Sequence, residues 1–286
     1  MNACTSRLAD LRANQICGIV KGINYKPGED VSDDNSSHWV AVFIDGAWRL
    51  CDPEWASRSQ NAGKGEWKLI DDGGEGSRAV DDGDVALWYR YDDFYFLTNP
   101  EEFVYTHLPH DEKWQLLARP VTRQEFNEMV YAAGAFFEAE LQVKTHSKCK
   151  IIVPKGQLDI KIKTPNSGPD LTFSHRLWIS TEEQHQRESF GDVALNRFVF
   201  RQRKEGDVQV QLALPAPGKF KFELFVGDRL SNVCKWACTY IILNSAAKEN
   251  VRALPVNKRE EWGPGPDLLR AGLHPISHDD AIVKAE

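Results

Sequence analysis

Apolar and polar positions divide the chain into two unequal parts. From Leu141 to Leu243 the two kinds alternate again and again. Leu158, Ile160 and Ile162 stand between Asp159, Lys161 and Lys163; Val208, Val210, Leu212 and Leu214 keep the same spacing, and Phe220, Phe222 and Leu224 follow. A period of two puts alternate side chains on one face of a strand. Seven or eight such strands with turn residues between them predict an antiparallel β-sandwich of about 100 residues. Thr122, with Glu125 three residues on, predicts a capped helix start just before this region.

The first part has shorter signals. Leu8 and Leu11 at helical spacing predict the end of a helix over Thr5 to Ala13, and Ile16 to Ile23 reads as a strand. After polar loops at Lys26–Asp30 and Ser32–Ser37 comes the sharpest local pattern. Trp39 to Ile44 is a strand, Asp45-Gly46 a two-residue turn, and Ala47 to Cys51 the returning strand. Trp48 is expected to be buried against this part's core. Ser57 to Asp84 is rich in Gly, Asp and Ser and reads as a mobile acidic insertion. Its Asp71-Asp72-Gly73-Gly74 and Asp81-Asp82-Gly83-Asp84 runs lack the spacing and closing glutamate of a calcium loop. Ala86 to Leu97 returns to strand character. Phe103, Tyr105 and Trp114 anchor a turn-rich connector, and the stretch after Asn244 is irregular.

With 286 residues and 42% hydrophobic content, the chain can form one large domain or two ordinary ones. A net charge of −7 without a basic stripe argues against nucleic acid and against flat binding to anionic membranes. No apolar run is long enough to span a bilayer, and Met1 to Thr5 lacks the basic and apolar regions of a signal peptide. Six scattered cysteines read as free thiols in a reducing compartment, so cytoplasm is expected. Cys234 and Cys238 have no second pair to complete a zinc site and are expected to pack. No metal or cofactor is expected. His107, His110, His146, His175 and His185 show no ligand spacing and read as surface or capped residues. His274 and His278 are separated by Pro275, which argues against a helical metal pair.

The candidate chemistry lies between Ser37 and Asp52. His38 opens one hairpin strand and Asp52 follows the other, so the two ends lie side by side. An aspartate there can orient an imidazole. A cysteine at a helix N-terminus facing that imidazole would become a nucleophile.

Four stretches carry a resemblance to a known family. They are Ile16-Cys17-Gly18-Ile19-Val20-Lys21-Gly22 with Tyr25-Lys26-Pro27-Gly28; the hairpin from Ser37 to Trp55; Phe94 to Phe103 with Lys113-Trp114-Gln115-Leu116-Leu117; and Glu261-Trp262-Gly263-Pro264-Gly265 with Gly272-Leu273 and Ser277-His278. Together they resemble the transglutaminase-like superfamily, within it the hillarin and kyphoscoliosis-peptidase group. The resemblance implies an α+β fold: a truncated papain-like core over 1–118 with the acidic insertion at 57–84, an antiparallel β-sandwich-like domain over 119–245, and an irregular tail over 246–286 packed on the domains. It also implies a place near the cytoskeleton, notably in muscle, and partners such as filamin-type actin crosslinkers.

Residue by residue, the family's aspartate falls on Asp52. Counting back from Ala41 puts the family's histidine position on Ser37, with His38 one residue late. A one-residue shift on a strand turns a side chain to the opposite face. The nucleophile's position lies ahead of Met1. Cys4 and Cys17 are the remaining candidates, and both, with Cys51, are expected to be packed thiols. The expected function is a catalytically inactive scaffold that binds cytoskeletal proteins. The alternative is a thiol peptidase or protein-glutamine transferase whose cysteine lies upstream of Met1; a plain β-sandwich interaction module is a third reading.

Overall fold

The computed structural model describes residues 11–22, 25–61, 77–82, 85–89, 91–132, 134–165, 170–180, 186–204, 206–228, 233–245, 251–254, 273–275 and 283–285. Cys4, the expected helix end before residue 11 and most of the tail lie outside them. The described chain is mostly antiparallel sheet with a few short helices.

Five strands build the first sheet: β1 (Ala13–Val20), β2 (Ser36–Ile44), β3 (Ala47–Cys51), β7 (Phe96–Thr98) and β8 (His107–Pro109), in the order β7-β3-β2-β1-β8. Strands β4 (Arg58–Asn61), β5 (Ser77–Asp82) and β6 (Val85–Tyr89) form a separate three-stranded sheet in the order β4-β6-β5. The stretch expected as a mobile insertion therefore contributes two strands, although 62–76 and 83–84 lie outside the described residues.

The hairpin forms as its turn residues dictate. Val40 pairs with Cys51 and Ile44 with Ala47. Asp45 and Gly46 both take positive φ, +51° and +79°, which matches the right-handed twist of the flanking strands. Behind it, Ile16, Val20, Trp39, Ala41, Leu50, Ala56, Phe94, Tyr95 and Phe103 make one buried cluster. Gly18 of β1 is needed there, because a Cβ would overlap the Leu108 carbonyl and the Trp39 ring. Trp48 departs from expectation. It is half-buried at the rim of this cluster, with ring contacts to Phe43 at 5.4 Å and Trp114 at 5.1 Å. Trp48→Ala should therefore cost about 1.5–3 kcal/mol, below the roughly 3–5 of a fully buried tryptophan. Urea denaturation measures it, and a loss above that range would contradict the rim placement.

The second part carries β9 (Tyr131–Ala132), β10 (Gln142–Val143), β11 (Lys150–Val153), β12 (Gln157–Lys163), β13 (Leu171–Ser180), β14 (Gln186–Arg187), β15 (Ser189–Phe190), β16 (Val193–Ala194), β17 (Val199–Lys204), β18 (Asp207–Ala213), β19 (Gly218–Asp228) and β20 (Lys235–Asn244). Two main sheets result, β10-β12-β18-β17 and β11-β20-β19-β13-β14 with β9 beside β20, and β15 pairs with β16 as a separate hairpin. The alternating residues meet as the pattern predicts: Leu158 faces Leu212, Ile160 faces Val210 and Ile162 faces Val208, all buried. One pairing differs, since β11 runs parallel to β20. Outside these sheets, β21 (Leu273–Pro275) and β22 (Val283–Ala285) pair with each other.

The capped helix Arg123–Glu128 sits at the seam between the parts. Thr122 and Glu125 form the full capping box. Phe126 is buried among Ile19, Tyr25, Val31, Val104 and Leu108 of the first part. Asn127 Oδ1 accepts from the Val31 amide at 3.2 Å, and Arg123 donates to the Val31 carbonyl at 2.9 Å. Gly28, at φ +81°, seats this loop against Ile241 of β20, where a Cβ would lie 3.1 Å from the isoleucine. Among the described residues, no helix is long and apolar enough to cross a membrane.

Candidate functional site

The five-stranded sheet has two faces, and register decides which side chains share them. Gly18 pairs with Ser37, Ile16 with Trp39 and Val20 with His107. Cross-strand partners project to the same side, so Ser37, Trp39 and His107 belong to the core face. Cys17 pairs with His38, and both are exposed on the opposite face. His38 and Asp52 are thus separated by the sheet. No hydrogen bond joins them among the described residues.

Asp52 is fully buried on the core face. It is the N-cap of the helix Pro53–Ser57: its Oδ1 accepts from the amides of Glu54 at 2.9 Å and Trp55 at 3.0 Å. Pro53 follows at the first helical position, where its missing N–H loses nothing. The other oxygen, Oδ2, lies 3.1 Å from Nε2 of His107. Both carboxylate oxygens are engaged within the fold.

The imidazole that meets Asp52 is therefore His107, 55 residues away along the chain. The expectation that His107 is a surface or capped residue is corrected: its exposure is 1%. Phe103 stacks on it at 4.1 Å, Trp55 and Trp39 approach edge-on at 4.6 Å and 5.1 Å, and Tyr95 lies tilted at 5.9 Å. Thr106 Oγ1 lies 2.8 Å from Nδ1. Burial among these rings holds the imidazole below the ordinary histidine range, while the bond to Asp52 works the other way. A neutral ring satisfies both contacts, with Nε2–H donating to Asp52 and Nδ1 accepting from the Thr106 hydroxyl. The one signal in sequence was a histidine inside the apolar run Val104-Tyr105-Thr106-His107-Leu108, and no periodicity linked it to residue 52.

The thiols divide in the same way. Cys17, expected as a packed thiol, is exposed. Cys51, Cys149 and Cys238 are buried, and burial pushes each thiol up. Ser37 is half-buried on the core face at the position where the resemblance expects the imidazole. The described residues therefore hold a buried carboxylate–imidazole pair on one side of the sheet and an exposed thiol–imidazole pair on the other.

A family model described as the KY-like, immunoglobulin-like domain matches residues 123–255. Across 287 residues, 96% of this chain and 38% of the relative, the chain is 29% identical to the Lim and transglutaminase domain protein ltd-1 of Caenorhabditis elegans. It is 29% identical to Hillarin of Drosophila melanogaster over 97% of this chain and 34% of that protein. It is 24% identical to human kyphoscoliosis peptidase over 97% of this chain and 36% of that protein. The chain spans less than two-fifths of the length of each. It is homologous to the transglutaminase-like proteins of the hillarin and kyphoscoliosis-peptidase group, and its second part matches the KY-like, immunoglobulin-like domain.

Proposed function

We propose that this chain is a protein-binding scaffold at the cytoskeleton, with a papain-like first unit that has no acyl-transfer chemistry of its own. The observation that carries this reading is the placement of Asp52. In a thiol enzyme of this kind the carboxylate orients the imidazole that serves the nucleophile. Here Oδ1 holds a helix N-terminus and Oδ2 holds His107, whose second nitrogen is occupied by Thr106 and whose faces are covered by aromatic rings. His38 is on the other side of the sheet. The names of two relatives speak of a transglutaminase domain and a peptidase; that chemistry needs an imidazole at Ser37, and a serine hydroxyl cannot replace it as a base near neutral pH.

The test uses the full chain with a glutamine peptide and a fluorescent primary amine, and separately with a peptide cleavage substrate. The expected result is neither incorporation nor cleavage, together with saturable binding to a purified filamin-type actin crosslinker. Amine incorporation abolished by Asp52→Asn would overturn the inactive reading. Absence of binding to cytoskeletal proteins would overturn the scaffold reading.

A further inference from the structure

The face of the first sheet that carries Cys17 opens to solvent beside buried Ile19 and Val40, and three metal-ligating side chains stand there in one row. Cys17 is central on β1, with His38 of β2 directly opposite it. On the other side, the Cys17 carbonyl accepts from the His110 amide at 3.0 Å, which continues the β1–β8 register one residue past Pro109. His38, Cys17 and His110 thus sit abreast on three neighbouring strands, and all three are exposed. The backbone bonds of Cys17 run toward β8. Its pair with His110 is therefore of the hydrogen-bonded kind, with Cα atoms about 5.5 Å apart, and its pair with His38 is of the closer kind, at about 4.5 Å.

We infer that the row His38–Cys17–His110 binds a divalent cation of the zinc class. One thiolate flanked by two imidazoles suits a borderline-soft ion that prefers sulfur and nitrogen. The strands supply the spacing: an ion about 2.3 Å above the Cys17 sulfur can be reached by an imidazole leaning in from each side. Among the described residues no three such side chains already converge on one point, so binding turns exposed rotamers and leaves the backbone in place. On binding, the Cys17 thiol loses its proton to solvent and a metal–sulfur bond forms, with no change of oxidation state. Three protein ligands leave a fourth position for water or for a side chain of a bound partner. Asp52 and His107, on the far side of the sheet, take no part, so this site stands independently of the scaffold reading.

Cobalt(II), a spectroscopic stand-in for zinc, tests the site on the full chain. Titration should give a thiolate-to-cobalt charge-transfer band that saturates at one ion per chain and is displaced by zinc. Cys17→Ser should abolish the band, and His38→Ala and His110→Ala should each weaken binding roughly tenfold or more. All three positions are exposed, and unchanged melting temperatures without metal will show that the variants fold. A band that survives Cys17→Ser, a band indifferent to either histidine, or no band at all would overturn the inference.

Discussion

Asp52→Ala should destabilise the protein by about 3–5 kcal/mol, because one buried carboxylate accepts three hydrogen bonds and a bond to a charged group contributes about 1.5–3 kcal/mol. Three donors lose their acceptor together: the amides of Glu54 and Trp55 and the Nε2–H of His107. The His107 Nε2–H cannot turn to water, because its ring is buried. Asp52→Asn separates the two roles of the side chain. Its amide oxygen still caps the helix, and asparagine is among the best capping residues. His107 can then change tautomer, accepting from the new amide at Nε2 and donating to Thr106 Oγ1 from Nδ1. The asparagine variant should therefore lose less than half of what the alanine variant loses. Equal losses in urea denaturation would mean that the charge, rather than the cap, is what the fold requires.

The same pair makes stability sensitive to acid. The folded state holds the His107 pKa below the ordinary value of 6.5, so the unfolded chain binds its proton first as pH falls. Stability from this group is complete above pH 6.5 and declines below it. His175 contributes in the same direction, since burial and the neighbouring Arg201 lower its pKa to about 3. The separate effect of His107 appears as the difference between the wild type and a variant at that position.

What the sequence made legible was local. The Asp45-Gly46 turn, the register it imposes, the Thr122 capping box and the alternating strands of the sandwich each arise from neighbouring residues. The one-residue offset between Ser37 and His38 was visible for the same reason. The partner of Asp52 was not visible, because the 52–107 contact closes across four strands of the sheet. The strand that carries His107 has three residues, too few for a periodic signal. The exposure of Cys17 is hidden in the sequence because Ile16, Ile19 and Val20 make β1 look apolar on both faces. In fact the face that buries Ile19 opens to solvent at Cys17, beside exposed Gln15 and Ser36. That opening depends on where β8 ends, which no local pattern encodes.

Lys21 gives the second large effect, and its sign is opposite to that of Asp52. Its side chain is fully buried at the seam between the two parts, and among the described residues Nζ has no hydrogen-bond partner. Its neighbours are the rings of Phe126 at 4.5 Å and Tyr25 at 5.5 Å. Its carbonyl accepts from the Tyr131 hydroxyl at 3.4 Å. Burial lowers the ammonium pKa from 10.5 to about 8, with the nearby Cys149 acting weakly against it. A shift of this size corresponds to roughly 3 kcal/mol against the charged form, and the ring contacts offset part of it. Lys21→Met, similar in length and without charge, should therefore stabilise the protein by about 1–3 kcal/mol at pH 7. The gain should vanish on a known schedule. Between pH 8 and 10.5 the unfolded chain still holds the lysine proton while the folded chain has released it, so wild-type stability rises toward that of the variant. Tyr25, Tyr131 and Cys149 also titrate as pH rises, with pKa values pushed up by burial. The tyrosines do so in both proteins, so the difference between the two curves reports Lys21 together with its coupling to Cys149. A methionine variant less stable than wild type at pH 7 would show that the seam depends on the ammonium, and that its contacts with the rings outweigh its desolvation.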